Sequence, residues 1–566
     1  MENEHISKHN NQLSLPSDMV SFRVDHLPVV TAFIRKIGIV ETINSLVDSQ
    51  RHTDPGTIVS AMILNTLCGR SPLYHLEQFF FEQDTELLFG KNIQPERFND
   101  DIVGRTLDDL QQKGIESLFS AISLQACQRM QVNCSVGHFD TTSVNVWGEY
   151  KGCGNSPENL QLTHGFSKDH RPDLKQFMFS LLCVEGNIPL MGLPQNGNAA
   201  DSKLNNKELE RVAKLIKQNT LDQEKFTYIA DSKLVNKANL KALENTRFIT
   251  RLPANYKVHD QLVEQAVEAN QWQEIGTLAD NQSKSRPAAQ YKYSEQSAQL
   301  YEKNYRAIVI HSSAHDQRRL KRIERQIATE KKATQQWIKD YHKRRFACQE
   351  DALREKQLVQ KHELALHHLE VEVLESAVYQ RGRPAKKADR VPKRIDYRLE
   401  IKVQADTQAL EQKRVQAGCF VLLTNVPSEG KEAWDAKKIL SSYKEQHGVE
   451  TSFRFLKDPL IVNDLFLKKP ERVEALGFIL MLSLLVWNLI QRSLRQYIKE
   501  ENTTLPGWDK KQTTKPTAYM MTWMVRGIIV IKTGNYRRLG NPLNPKTLAY
   551  LTALGLSVTI LTTPPS

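Results

Sequence analysis

Seven scattered cysteines among 566 residues form no C-x-x-C pair, so neither a zinc ribbon nor a disulfide framework has a pattern to rest on. A reducing, cytoplasmic setting is expected. The polar start, MENEHISKHNNQ, lacks the basic-then-apolar order of a secretory leader. Long apolar runs are scarce too. The one that needs weighing, ALGFILMLSLLVWNLI at residues 475–490, is bracketed by Arg472, Glu474, Arg492 and Arg495. It falls short of the about 20 apolar residues of a bilayer span, so a helix buried in a soluble domain is expected, with no membrane partner. No internal repeat is evident.

The length exceeds what one hydrophobic core organises and predicts two to four domains. The net charge of +12 is an excess of cations that favours a polyanionic partner, with nucleic acid first among them.

Periodicity divides the chain. Residues 1–26 read as a disordered start. Residues 27–132 carry amphipathic helical patterns punctuated by Pro55, Pro72 and Pro95, and predict a helical N-terminal domain. From 133 to 253 the period changes: SVGHFDTTSVNV, KQFMFSLLCVEGNIPLMG and KFTYIADSKLV read as strands, with helices between them, as in a sheet-and-helix core. Residues 254–437 hold a long charged helix over 315–364, then alternating segments around a basic linker, RGRPAKKADRVPKR. They predict a mixed helix and strand insertion that projects as a separate unit without completing the central sheet. Residues 438–500 return to the core, and 501–566 form a C-terminal region.

Three acids stand out. Asp140 and Asp231 each sit where an apolar strand gives way to small hydroxyl residues, DTTS and DSK. On neighbouring strands their carboxylates would share one edge. Glu450 lies in SSYKEQHGVETSFRFLK, where Tyr443, Gln446, His447, Glu450, Arg454 and Lys457 recur in steps of three or four on one helical face. Carboxylates among cations suit a place where hard, oxygen-seeking metal ions meet a phosphate. The plainer alternative is a pair of turn-forming or capping aspartates and an exposed helical glutamate. Asp201, before a helix, competes for the second position as an ordinary N-cap.

The order Asp140, Asp231, Glu450 resembles the DDE transposases of bacterial insertion sequences. The helix is similar to their Tyr-(2)-Arg-(3)-Glu-(6)-Lys signature: Tyr443, Glu450 and Lys457 match in register, and Gln446 stands where arginine is expected. The segments FNDDIVGRTLDDL, DTTSVNVWGEY, GFSKDHRPDLKQF, GNAADSK, YIADSKL and FITRLP also look like one branch of that family, in its order. The resemblance implies an α/β, RNase H-like core with a mixed sheet and flanking helices, interrupted by an insertion before the Glu helix. It implies metal-dependent DNA cleavage and strand transfer at the ends of the element. Asp140, Asp231 and Glu450 would hold two Mg²⁺ ions, with Mn²⁺ able to substitute, while Tyr443, Gln446, Arg454 and Lys457 would meet DNA. The partners would be double-stranded DNA, as terminal inverted repeats and target, and a second copy in the DNA-bound complex. The location would be the bacterial cytoplasm, at the nucleoid.

Further DNA contacts are expected from Lys168, His170, Arg171 and Lys175 in GFSKDHRPDLKQF, for which a solvated, salt-bridged turn is the alternative. Arg381 and Arg383 in RGRP resemble the core of an AT-hook, against a plain basic linker. His362, His367 and His368 predict a solvated helix end rather than a metal cluster. Trp272, Trp337 and Trp434 are candidates for stacking on an extruded base, with core packing the alternative. Two rival functions remain: a nuclease with this core and no strand transfer, and a degenerate copy that only binds DNA.

Overall fold

The computed structural model describes residues 19–69, 71–147, 150, 160–166, 171–199, 209–211, 225–278, 288–314, 317–379, 391–458 and 469–565. It divides into two compact units, Met1–Ile249 with Ser442–Ser566, and Thr250–Ser441.

The first unit opens with strand β1 (Met19–Arg23) and helices α1 (Leu27–Ile37), α2 (Ile39–Leu46), α3 (Pro55–Leu64), α4 (Leu76–Phe81), α5 (Thr85–Phe89), α6 (Asp100–Lys113) and α7 (Ile115–Arg129). Local chemistry sets their ends. Asp54, Asp84 and Asn99 accept the N–H groups of Thr57, Leu87 and Ile102, capping α3, α5 and α6. Gly38, at φ +75°, turns the chain between α1 and α2, a conformation that a side chain would strain.

Strands β2 (Val136–Val146), β3 (Lys175–Val184), β4 (Ile188–Gln195) and β5 (Thr227–Ala230), helix α8 (Lys237–Ala242) and strand β6 (Arg247–Arg251) come next. The strand order is β4-β3-β2-β5-β6, antiparallel from β4 to β2 and parallel between β2 and β5. β3 is buried along nearly its whole length, so it reads as a continuous apolar run rather than an alternating one.

The second unit contains helix α9 (Lys257–Ala269), strands β7 (Gln273–Thr277), β8 (Gln290–Leu300) and β9 (Lys303–Ser312), helices α10 (Gln317–Tyr341) and α11 (Gln349–Gln360), strands β10 (His367–Val378) and β11 (Arg394–Ala405), helix α12 (Thr407–Ala417) and strand β12 (Cys419–Thr424). Helix α13 (Ala436–Glu445) carries the chain back to the first unit, which ends with α14 (His447–Leu456), α15 (Pro470–Glu500) and a C-terminal group of short elements.

Three expectations change. Residues 19–23, expected in a disordered start, form β1, which pairs antiparallel with Ile529–Thr533. The helices of 27–132 are not a domain apart, because they belong to one compact unit with the strands after them. The reason is α15, long and apolar enough to cross a bilayer, whose apolar window is 83% buried inside the protein. It packs on α3, α6, α7 and β4 at once. Third, the long charged helix is two helices, broken where Phe346 forms a bridge with Tyr397. Within the second unit the strand order is β12-β9-β8-β7. Leu252 donates its N–H to the Val421 carbonyl at 2.9 Å. An open strand edge leaves peptide groups unpaired, and the apolar stretch FVLLT supplies a partner that can be buried.

Candidate active site

The parallel ladder between β2 and β5 pairs Phe139 with Ala230. Asp140 and Asp231 are the next residues on the two adjacent strands, so both acids stand at one register position. Asp140, half-buried, turns its Oδ1 to the N–H of Thr141 at 2.7 Å. Asp231 comes directly after the last residue of β5, and its Oδ1 accepts the Lys233 N–H at 3.0 Å.

Glu450 arrives from α14. Val449, Ser452, Phe453 and Leu456 form the buried face of that helix, which packs on β2 and β3, leaving Glu450 and Arg454 exposed. Gly448 permits the approach. A Cβ there would collide with the Asn187 Oδ1, in the turn between β3 and β4. His447 Nδ1 lies 2.8 Å from Glu450 Oε2, an exposed contact one turn apart on the helix.

A pocket of about 500 Å³ joins these elements, lined by Asp140, Thr141, Thr142, Glu450, Phe453, Arg454, Lys457 and Asp458. Asp140 and Glu450, 310 residues apart in sequence, therefore share one cavity with two cations and two hydroxyls. Asp231 is not among the lining residues. Among the described residues no three of His, Cys, Asp or Glu stand close enough to hold a metal ion. The donor set at Asp140 and Glu450 is anionic oxygen flanked by hydroxyl oxygen, which fits a hard cation in its chemistry.

The predicted single helical face is divided. The helix breaks at Gln446, between α13 and α14. Glu450, Arg454 and Lys457 remain on the pocket wall, whereas Tyr443, Gln446 and His447 do not line it. The Gln446 amide instead reaches the carbonyl of Phe139 at 3.5 Å, tying the helix break to the strand beside Asp140. Asp458 also lines the pocket, and sequence pattern does not single it out, because α14 ends at Leu456 and helical spacing from Glu450 does not reach it.

Two residues before Asp140 on β2, His138 is 6% exposed and its Nδ1 has no hydrogen-bond partner among the described residues. Burial pushes its pKa down to about 4, so the ring is neutral near pH 7. Burial also pushes the Cys183 thiol up to about 12, and the negative charge of Asp140 adds to that effect.

Of the other expected contacts, Arg171 pairs with Asp173 at 2.6 Å and lies over the exposed ring of Trp147 at 4.9 Å. Lys175 donates to the Tyr150 carbonyl at 3.2 Å. Lys168, His170, Asp201, Arg381 and Arg383 lie outside the described residues. Trp434 is buried, and Trp337 packs on the core of the second unit and stacks on His362. Trp272 meets His311 edge-on, with the Lys292 ammonium over its ring. His367 is no solvated helix end: it begins β10, buried, with Nδ1 2.7 Å from Glu330.

Residues 19–124 match a family described as a domain of unknown function, DUF4277. No curated protein matches the chain in sequence. Among solved structures, a chain of the Mos1 transposase paired-end complex with left transposon end aligns at 11% identity and a TM-score of 0.15. That alignment covers 43% of this chain and 80% of the other.

Proposed function

We propose that the protein is a DDE-type transposase that cleaves and joins DNA at the ends of its own element, in the bacterial cytoplasm. The observation that carries this reading is the meeting of Asp140 and Glu450 in one pocket, with Asp231 at the matching register position of the adjacent strand. Asp140, Asp231 and Glu450 would hold divalent metal ions, Mg²⁺ or Mn²⁺, which when bound neutralise phosphate charge and sharpen an oxygen nucleophile. For Asp231 this requires its carboxylate to exchange the Lys233 N–H for the site. Arg454 and Lys457, on the pocket wall, supply cations for the phosphate flanking the scissile bond. Gln446 in this reading is a positioning residue that holds α14 to β2 through the Phe139 carbonyl, rather than a phosphate ligand. Water is the nucleophile of the first cut, and the freed 3′-hydroxyl attacks target DNA in the second.

The separation of the three carboxylates favours one other reading, a chain that binds DNA without cutting it. Incubation with Mg²⁺, a labelled fragment from the DNA flanking the reading frame, and a plasmid separates the cases. Joined products are expected. Cleavage without joining makes the protein a nuclease, and retention of the fragment without cleavage makes it a binding protein only.

A further inference from the structure

Helix α10 in the second unit has two opposite faces. Ile323, Thr334 and Ile338 are buried, with Trp337 and Tyr341 packed beside them on Val359, Val371, Leu399 and Ile401. The opposite side presents Lys321, Arg325, Lys332 and Lys339, all exposed, at steps of four, seven and seven. At 100° per residue these four fall within about 40° of one another, centred opposite the buried face. Ala328 and Gln335 fill the same line.

Acids on the helix are too few to neutralise that line. Between Gln317 and Arg345 there are eleven Lys and Arg against three acids. Glu330 turns inward to His367 at 2.7 Å, and Asp340 pairs with Lys343 at 2.8 Å. Glu324 lies at one flank. None of the four stripe cations is joined to an acid among the described residues. Four unpaired cations on a rigid rod repel one another and gain free energy from a polyanion that releases its counterions.

We infer that the outer face of α10 is a binding surface for the phosphate backbone of double-stranded DNA. For its choice of partner this rests on the transposase reading. Lys321 to Lys339 spans about 27 Å at 1.5 Å per residue, the axial length over which one DNA strand presents about eight phosphates. The rod is held still by its own small core. The β10–β11 hairpin runs alongside it in a fixed sense: Glu330 meets His367, the His342 Nε2 accepts the Ile401 N–H at 3.3 Å, and Phe346 bridges Tyr397. A lipid surface is a poorer match. The stripe carries no Trp, Phe or Leu to enter a bilayer interface, and Trp337, Ile338 and Tyr341 pack on the core beneath the helix.

The test uses the full chain with Lys321→Gln, Arg325→Gln, Lys332→Gln and Lys339→Gln together. The control removes the same charge elsewhere on the unit, through Lys361→Gln, Lys402→Gln, Lys413→Gln and Lys431→Gln, all exposed positions. Duplex affinity is measured by fluorescence anisotropy from 50 to 300 mM KCl. The stripe variant is expected to lower the slope of log Kd against log salt by about three to four, at about 0.9 per phosphate contact, and the control by less than about one. The pair Lys332→Gln and Lys339→Gln alone is expected to lower it by about two, and covers the case in which the fourfold variant fails to fold. Equal slopes for stripe and control overturn the inference. So does loss of binding to phosphatidylserine vesicles with duplex binding intact. Loss of cleavage in Asp140→Asn is independent of this result, so a failed stripe and a failed active site are told apart.

Discussion

The pocket of the first unit and the outer face of α10 in the second carry opposite charge and are built in opposite ways. Asp140 and Glu450 come from distant parts of the chain and meet only because β2, β3 and α14 are packed against one another. The cations of α10 come from one continuous segment and need only a helix with one buried side. A site for chemistry must fix groups to within a fraction of an ångström, whereas a surface for a polyanion needs charge in about the right line. Small displacements should therefore damage the pocket and leave the helix face indifferent.

The largest expected effect comes from the acids. Asp140→Asn or Glu450→Gln should lower cleavage by at least about 10³-fold, several kcal/mol of lost transition-state stabilisation, with duplex Kd unchanged or tighter. The double variant should cost little more than either single one, because the two act as a unit. Cleavage within tenfold of the parent for Glu450→Gln would remove the pocket from the comparison.

Next is the scaffold of the first unit. Arg537, 5% exposed, donates to both oxygens of buried Asp84 at 2.6 and 3.0 Å and to Glu86 at 2.6 Å. Arg537→Ala removes the closest cation from buried Asp84, leaving Lys532 at 3.8 Å, and should cost about 3 kcal/mol in chemical denaturation. A loss below about 1 kcal/mol would mean that this end of the unit does not support the fold.

His138 should give the pocket strand a pH signature. Its folded pKa, about 4, lies below the ordinary value of 6.5, so the unfolded chain binds more protons between those limits. The stability from keeping the ring neutral is complete above pH 6.5 and is lost as pH falls toward 4, by up to about 3 kcal/mol. The Glu445 carboxylate lies 3.9 Å from Nε2. Denaturation curves from pH 7 to 5 should lose this slope in His138→Leu; an identical slope would assign it to other groups.

Gly448→Ala should displace α14 from Asn187 and lower cleavage by about tenfold to a hundredfold, with little change in DNA affinity. On the other side of the comparison, Lys332→Gln and Lys339→Gln should each shift stability by less than about 0.5 kcal/mol, within the range of ordinary surface substitutions. Melting curves that move by several degrees would show that the helix face is structural.

Local pattern accounts for a good part of this molecule. The strands around Asp140 and Asp231, the helix bearing Glu450, the capped helices of 27–129 and the burial of α15 are all legible from the period of apolar residues. Glu450, Arg454 and Lys457 can be placed on one wall from sequence, because helical steps are short-range geometry. Long-range packing settled the remainder. It made β1 a strand, since its partner Ile529–Thr533 lies some five hundred residues away, and no local period reveals such a pairing. It broke the Glu helix at Gln446, where the side chain turns to the Phe139 carbonyl. It brought Asp458 to the pocket and left Asp231 off its wall, because a shared register position fixes a backbone but not the direction of a carboxylate. It paired Leu252 with Val421, far apart in the chain, since an unpaired edge takes the apolar strand that packing brings to it.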